Sequence, residues 1–299
     1  MKIITSIPEI SRERRQIQHE KSVGLVPTMG YLHEGHISLV TQARAENDLL
    51  IVSIFVNPTQ FGPQEDLERY PRDLQHDLKR LEEAGVDFVF TPEAQEIYPT
   101  GFATYVDIMG ALATEVEGEH RQGHFRGVAT IVLKLFQIVQ PSRAYFGQKD
   151  AQQVAVITRM VHDFHLPVEL RIHPTIREAD GLAMSSRNSY LTMAEKEAAS
   201  ILYQALQIGK QTFDQYSGKD PKIVTKAIGE TIGKERLAKI IYSELRDPVT
   251  FQPLKSLHAP ALLLIAVQIG QARLIDNFLL QADGTWETGT IALGIATKV

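Results

Sequence analysis

Two histidines near the start of the chain are the side chains best suited to chemistry. His33 and His36 lie in residues 27–36, PTMGYLHEGH, where an apolar run ends and a helix pattern begins. Three residues apart across a helix start, they can face the same way, and their ring N–H groups can donate to phosphate oxygens during group transfer. The spacing fits equally well a surface position for His33 and a packed helix-start position for His36.

The common nucleotide and metal motifs do not account for this segment. Gly30 and Gly35 have Walker A spacing, but His36 and Ile37 stand where Lys and Ser or Thr are required. A G-x-G-x-x-G fingerprint is missing as well. The histidine pair also lacks the H-E-x-x-H spacing of a zinc protease. The histidine segment is therefore neither a P-loop nor a dinucleotide fingerprint nor a zinc-protease motif, other segments must decide its role, and no residue spacing demands a dedicated metal site.

Two later segments supply further groups for phosphate. Lys149, in the sequence YFGQKD of residues 145–150, can act as a point charge, although a solvated lysine is the more frequent outcome for such a residue alone. Asp150 is best explained as the N-cap of the following helix. The hydroxyls of Ser185 and Ser186 and the guanidinium of Arg187 suit a triphosphate, although alone they also fit a polar turn.

Uncharged polar groups follow the second apolar run. Asn57 and Gln60, in residues 57–62, NPTQFG, could orient a carboxylate or hydroxyls without adding charge. Asn-Pro also initiates turns by itself, so this motif is informative only beside the others. Residues 70–72 and 117–127 add polar candidates that the sequence does not assign individually.

The elements that position these groups alternate in type. Residues 23–26 and 49–56 are apolar runs typical of buried parallel strands, and Ile37, Val40 and Ala43 recur between them at helical spacing. The same style predicts helices at 74–84, 128–139 and 152–163, and strands at 86–90, 144–146 and 168–172. This alternation predicts a Rossmann-like, doubly wound parallel α/β sheet, whose ligands gather at the carboxyl ends of the strands.

The pattern changes after residue 176. Helices are predicted at 193–216 and 221–234, followed by strands at 239–245, 261–269 and 272–279. We expect two domains, a nucleotide-binding Rossmann-like domain of residues 1–176 and a smaller α+β lid domain of residues 177–299.

Composition narrows the class of protein. Of 299 residues, 43% are hydrophobic and 22% charged, as in an ordinary folded enzyme, and a net charge of −5 argues against nucleic acid as a partner. The absence of cysteine excludes thiolate catalysis and disulfides. The longest apolar stretch, residues 259–269, is too short to span a membrane. No signal peptide is recognisable, so we expect a cytoplasmic protein with no membrane partner.

Residues 26–30, 146–150, 180–188 and 273–277, taken in this order, resemble the pantothenate synthetase family of the HxGH nucleotidyltransferase superfamily. The resemblance covers almost the whole chain. It implies ATP-dependent ligation of (R)-pantoate and β-alanine to pantothenate through a pantoyl adenylate, with release of AMP and pyrophosphate. It also implies a homodimer, with Mg²⁺ carried on the phosphates of ATP rather than held by the protein.

The resemblance also assigns roles to residues. His36 is implied as the catalytic proton donor, with His33 as its partner and Lys149 as a catalytic cation. Gln60, Gln153 and Asn57 would bind pantoate, with Gln60 also close to β-alanine. The implied ATP-binding residues are Met29, Gly30, Tyr31, Leu32, His33, Glu34, Gly35, His36, Gly147, Gln148, Lys149, Asp150, Ile176, Met184, Ser185, Ser186 and Arg187.

This chain departs from the family pattern at two positions. Gln148 stands where many members have Glu, and Gln122 where many have Pro. Neither change removes a charge that the implied reaction needs. We expect the two imidazoles, the Lys149 ammonium and the groups of residues 185–187 to surround one triphosphate.

Two rival functions remain open at the level of sequence. A nucleotidylyltransferase that moves AMP or CMP to a phosphate acceptor would share the histidine loop, but the glutamines Gln60 and Gln153 favour a polyol carboxylate over a phosphate. A nucleotide-sensing regulator without catalysis is disfavoured because His33, His36 and Lys149 occur together with Arg187.

Overall fold

A computed structural model describes residues 1–18, 20–63 and 65–292. The chain forms two compact units. The first consists of Met1–Gly147 and Gln152–His173, and the second of Gln148–Ala151 and the described chain from Pro174 onward. We predicted a domain boundary after residue 176, and in the structure the chain passes from the first unit to the second between His173 and Pro174. The role of the second unit as a lid stays a prediction.

The first unit is built on one parallel sheet with helices around it. Its strands are β1 (Lys2–Ile4), β2 (Val23–Thr28), β3 (Leu49–Ile54), β4 (Phe88–Phe90), β5 (Arg143–Gly147) and β6 (Glu169–His173). Its helices are α1 (Ile7–Gln16), α2 (Glu34–Glu46), α3 (Leu74–Glu83), α4 (Ala94–Ile97), α5 (Ala111–Thr114), α6 (Glu117–His120), α7 (His124–Val139) and α8 (Ala151–Asp163). The strand order is β1-β4-β3-β2-β5-β6. The prediction of a Rossmann-like, doubly wound parallel sheet is confirmed.

Burial explains why the central strands read as continuous apolar runs. Val23, Leu25 and Val26 of β2 are fully buried, and so are Leu50 and Val52 of β3, as expected for strands covered on both faces. From β2 the chain moves to β3 and β4 on one side, and it later places β5 and β6 on the other side. The strand order therefore reverses between β2 and β5, and their carboxyl ends form the switch point where such sheets bind ligands.

The first unit differs from the sequence prediction at several places, since the short helices α4, α5 and α6 were not predicted and β4 begins at Phe88 rather than at residue 86. Strand β1 was not predicted, because it has three residues, two of them exposed, and it pairs with β4 at the sheet edge. Strand β3 ends at Ile54 rather than at residue 56. Helix α7 begins at His124, four residues before the predicted start, because the left-handed Gly123 (φ 81°) lets the chain enter the helix there.

The second unit contains an antiparallel sheet of order β11-β10-β9-β8 and a small parallel pair of β12 and β7. Its strands are β7 (Ile176–Arg177), β8 (Ala238–Arg246), β9 (Ala261–Ile269), β10 (Ala272–Leu280), β11 (Trp286–Glu287) and β12 (Thr290–Ile291). Its helices are α9 (Met193–Ala199), α10 (Ile201–Gln215) and α11 (Lys222–Ile232). Leu206, Phe213, Ile228, Leu263 and Phe278 lie in its core.

The predicted strands at 239–245, 261–269 and 272–279 are confirmed to within one residue at each end. The single helix predicted at 193–216 is wrong, because two helices meet at Ser200. The Ser200 hydroxyl donates to the carbonyl of Glu197 at 2.9 Å and so competes for the helical hydrogen-bond ladder. In the described parts of the chain, no helix combines the length and apolar character needed to cross a membrane.

Candidate active site

The loop between β2 and α2 holds the two histidines in a fixed arrangement. His33 is the N-cap of α2, and its Nδ1 accepts the N–H of Gly35 at 3.1 Å. Nδ1 of His36 accepts the N–H of His33 at 3.3 Å, and the two ring centroids lie 4.0 Å apart. Because Nδ1 is the acceptor in both rings, each neutral imidazole carries its proton on Nε2. This tautomer is the one that can donate a hydrogen bond from Nε2 to phosphate.

Two side chains of helix α3 form hydrogen bonds with the backbone of this loop. Asp77 is buried, and its carboxylate accepts the backbone N–H of Tyr31 at 2.8 Å and of Leu32 at 2.7 Å. Arg80 donates to the carbonyl of Leu32 at 2.9 Å and pairs with Glu34 at 2.5 Å. Burial raises the pKa of Asp77, while the two backbone N–H groups favour its charged form. Neither Asp77 nor Arg80 was predicted as a site residue from the sequence.

The loop after β3 places two buried amides beside the histidine loop. Asn57 Nδ2 donates to Gln60 Oε1 at 3.1 Å, and Gln60 Nε2 lies 3.2 Å from Met29 Sδ. Asn57 Oδ1 also accepts the hydroxyl of Tyr98 at 2.8 Å. Asn57 thus fixes which end of the Gln60 carboxamide faces Met29. A thioether sulfur is a weak acceptor, so the amide N–H groups of Gln60 can readily exchange it for a carboxylate.

The polar segment of residues 117–127, whose residues were not assigned individually from the sequence, forms hydrogen bonds with the loop after β3. His124 Nδ1 lies 2.8 Å from the carbonyl oxygen of Gln60, and its Nε2 lies 3.0 Å from Arg121 Nη1. Arg121 in turn donates to both carboxylate oxygens of Glu65, at 2.9 and 2.7 Å. Burial and the charge of Arg121 lower the pKa of His124 to about 4. His124 is therefore neutral at physiological pH, donates from Nδ1 to Gln60, and accepts from Arg121.

Two more predicted residues of the first unit lie where β5 passes into α8. Gly147 is the last residue of β5 and pairs with His173. Gln153 is half-buried on α8, and its side chain forms no hydrogen bond within the described parts of the chain. The preceding Gln152 is an anchor instead, because it accepts the N–H of Glu117 at 3.0 Å and donates to the carbonyl of Leu112 at 3.0 Å.

In the second unit, Asn277 of β10 holds the short turn that carries Lys149. Asn277 Nδ2 donates to the carbonyls of Gln148 at 3.0 Å and Lys149 at 2.8 Å. Gln148 Nε2 donates back to Asn277 Oδ1 at 3.2 Å. Lys149 lies 3.7 Å from Asp150, a loose ion pair that leaves its ammonium able to bind an anion. Asn277 thus has a structural role that was not assigned to it from the sequence.

A buried ion pair lies next to Asn277 along β10. Arg177 and Asp276 are joined by two hydrogen bonds, at 2.6 and 2.9 Å, and neither side chain is more than 1% exposed. Arg177 also donates to the carbonyls of Gly181 at 3.0 Å and Thr288 at 2.6 Å. The guanidinium stacks 4.8 Å from the ring of Tyr203. This arrangement fixes β7 and the turn that follows it.

The segment of residues 184–187 follows that turn. The N–H of Met184 donates to the carbonyl of Ile176 at 2.9 Å, so these two predicted residues are adjacent. Ser185 is the N-cap of a 3₁₀ turn, Ser186–Tyr190, and its hydroxyl accepts the N–H of Arg187 at 3.3 Å. Asn188 donates to the carbonyl of Ala183 at 3.1 Å and fastens the turn to the preceding chain.

Each unit thus brings together part of the predicted set. In the first unit, the predicted residues lie at the carboxyl ends of β2, β3 and β5. They are residues 29–36, Asn57, Gln60 and Gly147, and Gln153 lies on the helix that follows β5. The second unit contains residues 148–150, Ile176 and residues 184–187.

Sequence signals existed for the supporting residues. Asp77 lies four residues before the buried Leu81 of α3, on the apolar side of that helix, and Asp276 and Asn277 interrupt an apolar strand. A charged or amide side chain on a buried stripe indicates a specific polar partner.

The fold and the histidine loop define a class, that of Rossmann-like α/β enzymes whose ligand site lies at a topological switch point. The chain belongs to the Pantoate-beta-alanine ligase family, whose profile matches residues 2–279.

Known proteins match this chain along most of their length. A pantothenate synthetase of Herpetosiphon aurantiacus is 52% identical over 281 residues, which are 94% of this chain and all of that protein. The crystal structure of pantothenate synthetase from Thermus thermophilus is 46% identical with a TM-score of 0.87, covering 93% of this chain and 98% of that one.

A third relative was solved with ligands. The pantoate-beta-alanine ligase of Francisella tularensis, crystallised with β,γ-ATP and β-alanine, is 39% identical with a TM-score of 0.79. It covers 93% of this chain and 97% of that one.

Proposed function

We propose that this chain catalyses the ATP-dependent ligation of (R)-pantoate and β-alanine, through a pantoyl adenylate, with release of AMP and pyrophosphate. Membership of the ligase family over residues 2–279 supports the reaction. The observation that carries the mechanism is the imidazole pair at the switch point, in which both Nδ1 atoms are hydrogen-bonded within the loop.

In the first step, a pantoate carboxylate oxygen attacks the α-phosphorus of ATP and the bond to pyrophosphate breaks. Negative charge grows on the phosphate oxygens, and donors aimed at them lower the barrier. The N–H of Gly35 already binds the His33 ring, and we propose the Nε2–H groups of His33 and His36 as donors to phosphate at this helix start. We assign His36 as the proton donor and His33 as its partner.

The remaining ATP contacts are proposed from the family resemblance. Residues 29–36, residues 147–150, Ile176 and residues 184–187 would contact ATP. Lys149 supplies a point charge, and Arg187 supplies a planar fork for phosphate oxygens. Mg²⁺ would arrive on ATP, bound mainly by phosphate oxygens and water. Among the described residues there is no group of three or more His, Asp and Glu side chains that could hold a metal ion.

Pantoate is proposed to bind through Gln60 and Gln153, with Asn57 orienting Gln60. The Gln60 amide would exchange its weak contact with Met29 Sδ for the hydroxyls or carboxylate of pantoate. In the second step the amine of β-alanine, bound near Gln60, attacks the pantoyl carbonyl carbon. The bond between the acyl carbon and its bridging phosphate oxygen breaks, AMP leaves with that oxygen, the amine nitrogen releases one proton to solvent, and an amide forms.

The test of the first step is pantoate-dependent exchange of labelled pyrophosphate into ATP. The His36→Ala and Lys149→Ala variants should each exchange about 10²–10³-fold more slowly than the wild type. Matched controls are His162→Ala and Lys226→Ala, whose side chains are 75% and 77% exposed, and which should exchange at the wild-type rate. Wild-type exchange by both active-site variants would show that the assignment is wrong.

The second step separates this function from adenylyl transfer to a phosphate acceptor. Mass spectrometry of a mixture of protein, ATP, pantoate and β-alanine should show pantothenate and AMP. Release of pyrophosphate without free AMP and without pantothenate, even when β-alanine is present, would favour the rival reaction.

Two further properties are proposed from the family, a homodimer and a cytoplasmic location. Light scattering after gel filtration should give twice the 33.5 kDa mass of one chain. A mass of 33.5 kDa across the working concentration range would contradict the dimer. Fractionation of native cells should recover the enzyme with the cytosolic proteins.

A further inference from the structure

The turn that leads into the histidine pair has an unfavourable backbone. Gly30 and Tyr31 both have left-handed conformations, with φ of 81° and 52°. Glycine adopts this region freely, but a tyrosine there is strained and persists only where its surroundings impose it. His33, the N-cap of α2, follows two residues after Tyr31. The conformation of this turn therefore sets the position of both imidazoles.

Asp77 is the side chain that holds the turn. Its two carboxylate oxygens accept one N–H each, Oδ2 from Tyr31 at 2.8 Å and Oδ1 from Leu32 at 2.7 Å. The carboxylate lies on the inner side of the turn, because a Cβ added at Gly30 would stand 3.0 Å from Asp77 Oδ2. Asp77 is only 1% exposed and is carried by a regular helix, so its own position is rigid.

The choice of a carboxylate at this position is informative. Burying a carboxylate is unfavourable, and an apolar side chain on the same face of α3 would avoid the cost. Two adjacent backbone N–H groups that point at one side chain need two acceptor oxygens, which Asp has and Asn does not. The amide nitrogen of an Asn would face one of the two N–H groups, and the turn would lose that bond.

We infer that Asp77 is a positioning residue for the adenylation step, which acts by holding Tyr31 in its left-handed conformation and thereby places His33 and His36. The inference rests on the proposed function, since it assumes that the imidazoles act on ATP. Asp77 itself touches no reacting atom in this scheme.

The first test compares kinetics of the pyrophosphate exchange. Asp77→Asn should lower the maximal exchange rate about 10²-fold, the penalty for a catalytic group displaced by about 1 Å. The KM for pantoate should change little, because Gln60 and Asn57 are on the other loop. The control Lys79→Asn makes the same residue on the exposed face of α3 and should exchange normally.

The second test is a rescue that only a positioning role predicts. In the Asp77→Asn background, adding Tyr31→Gly should raise the exchange rate about tenfold above that of Tyr31→Ala, because glycine needs no external support at φ 52°. Both changes remove the same tyrosine ring, so loss of a ring contact cancels. Equal rates for the Gly and Ala double variants would overturn the inference.

A third measurement is independent of activity. Amide hydrogen exchange at Tyr31 and Leu32 should be slow in the wild type and at least about tenfold faster in Asp77→Asn, where the turn opens more often. Fast exchange of both amides in the wild type would also overturn the inference, even where Asp77→Asn does not fold. A wild-type protein with protected amides but without pyrophosphate exchange would instead reject the proposed function and leave the structural role of Asp77 standing.

Discussion

Gly127 of α7 offers a sharp test of how the Gln60 loop is held. A Cβ added at Gly127 would lie 2.4 Å from the carbonyl oxygen of Thr59 and 2.6 Å from the N of Gln60. Carbon and oxygen normally approach no closer than about 3.3–3.6 Å, so the loop would have to move by about 1 Å. Both obstructing atoms belong to the backbone, so no side-chain rotation relieves the clash.

The matched control is Gly229 of α11. A Cβ there meets nothing within 4 Å, so Ala adds helix propensity alone. Gly229→Ala should raise the free energy of unfolding by about 0.5–1 kcal/mol. Gly127→Ala brings the same propensity gain but must overpack the loop, and the free energy of unfolding should fall by about 1–3 kcal/mol. The two substitutions are chemically identical, but their expected effects on the free energy of unfolding have opposite signs.

The functional consequence follows from the displaced loop. Gln60 is proposed to bind pantoate, so Gly127→Ala should raise the KM for pantoate in the exchange assay by up to about 10²-fold. The KM for ATP should be nearly unchanged. Denaturant unfolding and exchange kinetics on the two variants check both parts. A Gly127→Ala protein as stable as the wild type, with an unaltered pantoate KM, would refute the assignment of Gly127 as a close-contact position.

Three further predictions concern the supporting residues. Asp276→Ala should lower the free energy of unfolding by about 3–5 kcal/mol in urea titrations, because Arg177 keeps a buried charge without its partner, and Asp276→Asn should cost less. Asn277→Ala should slow pyrophosphate exchange by loosening the turn that carries Lys149, with circular dichroism unchanged, and normal exchange would contradict this. Because folding lowers the pKa of His124 from 6.5 to about 4, only the unfolded chain binds this proton between those pH values. The free energy of unfolding should therefore fall by up to about 3 kcal/mol as the pH drops from 6.5 to 4, and a His124→Asn variant should lack this part of the pH dependence.

The sequence predicted those parts of the fold that depend on local periodicity. Strands β2 and β3 consist mainly of apolar residues because both of their faces are buried, and the apolar residues of α2 between them recur at helical spacing. Strand β1 escaped detection because an edge strand of three residues needs its partner β4 to define it. The break at Ser200 escaped because a serine hydroxyl that bonds a preceding carbonyl leaves the apolar spacing of the two helices unchanged.

The candidate catalytic residues could be predicted from the sequence, but the residues that hold them in position could not be assigned to them. His33, His36 and Lys149 follow strand ends, where ligands gather in such sheets, so spacing and residue type were enough to single them out. Asp77 supports the same loop from 44 residues beyond His33, and no local pattern relates the two. Long-range hydrogen bonds of this kind become visible only when the tertiary structure is known.

The four residues Gln148–Ala151 belong to the second unit although the chain on either side of them belongs to the first. A fragment that starts at Pro174 would contain β10 but would lack the two carbonyls that bind the Asn277 amide. In the fragment, water would replace those two acceptors, and each intramolecular hydrogen bond contributes about 0.5–1.5 kcal/mol to stability. The fragment should therefore be less stable than the same unit within the whole chain. Reassembly from separately expressed halves would require the Gln148–Ala151 tetrapeptide to dock from the other half, so the segment that carries Lys149 would also have to join the two fragments.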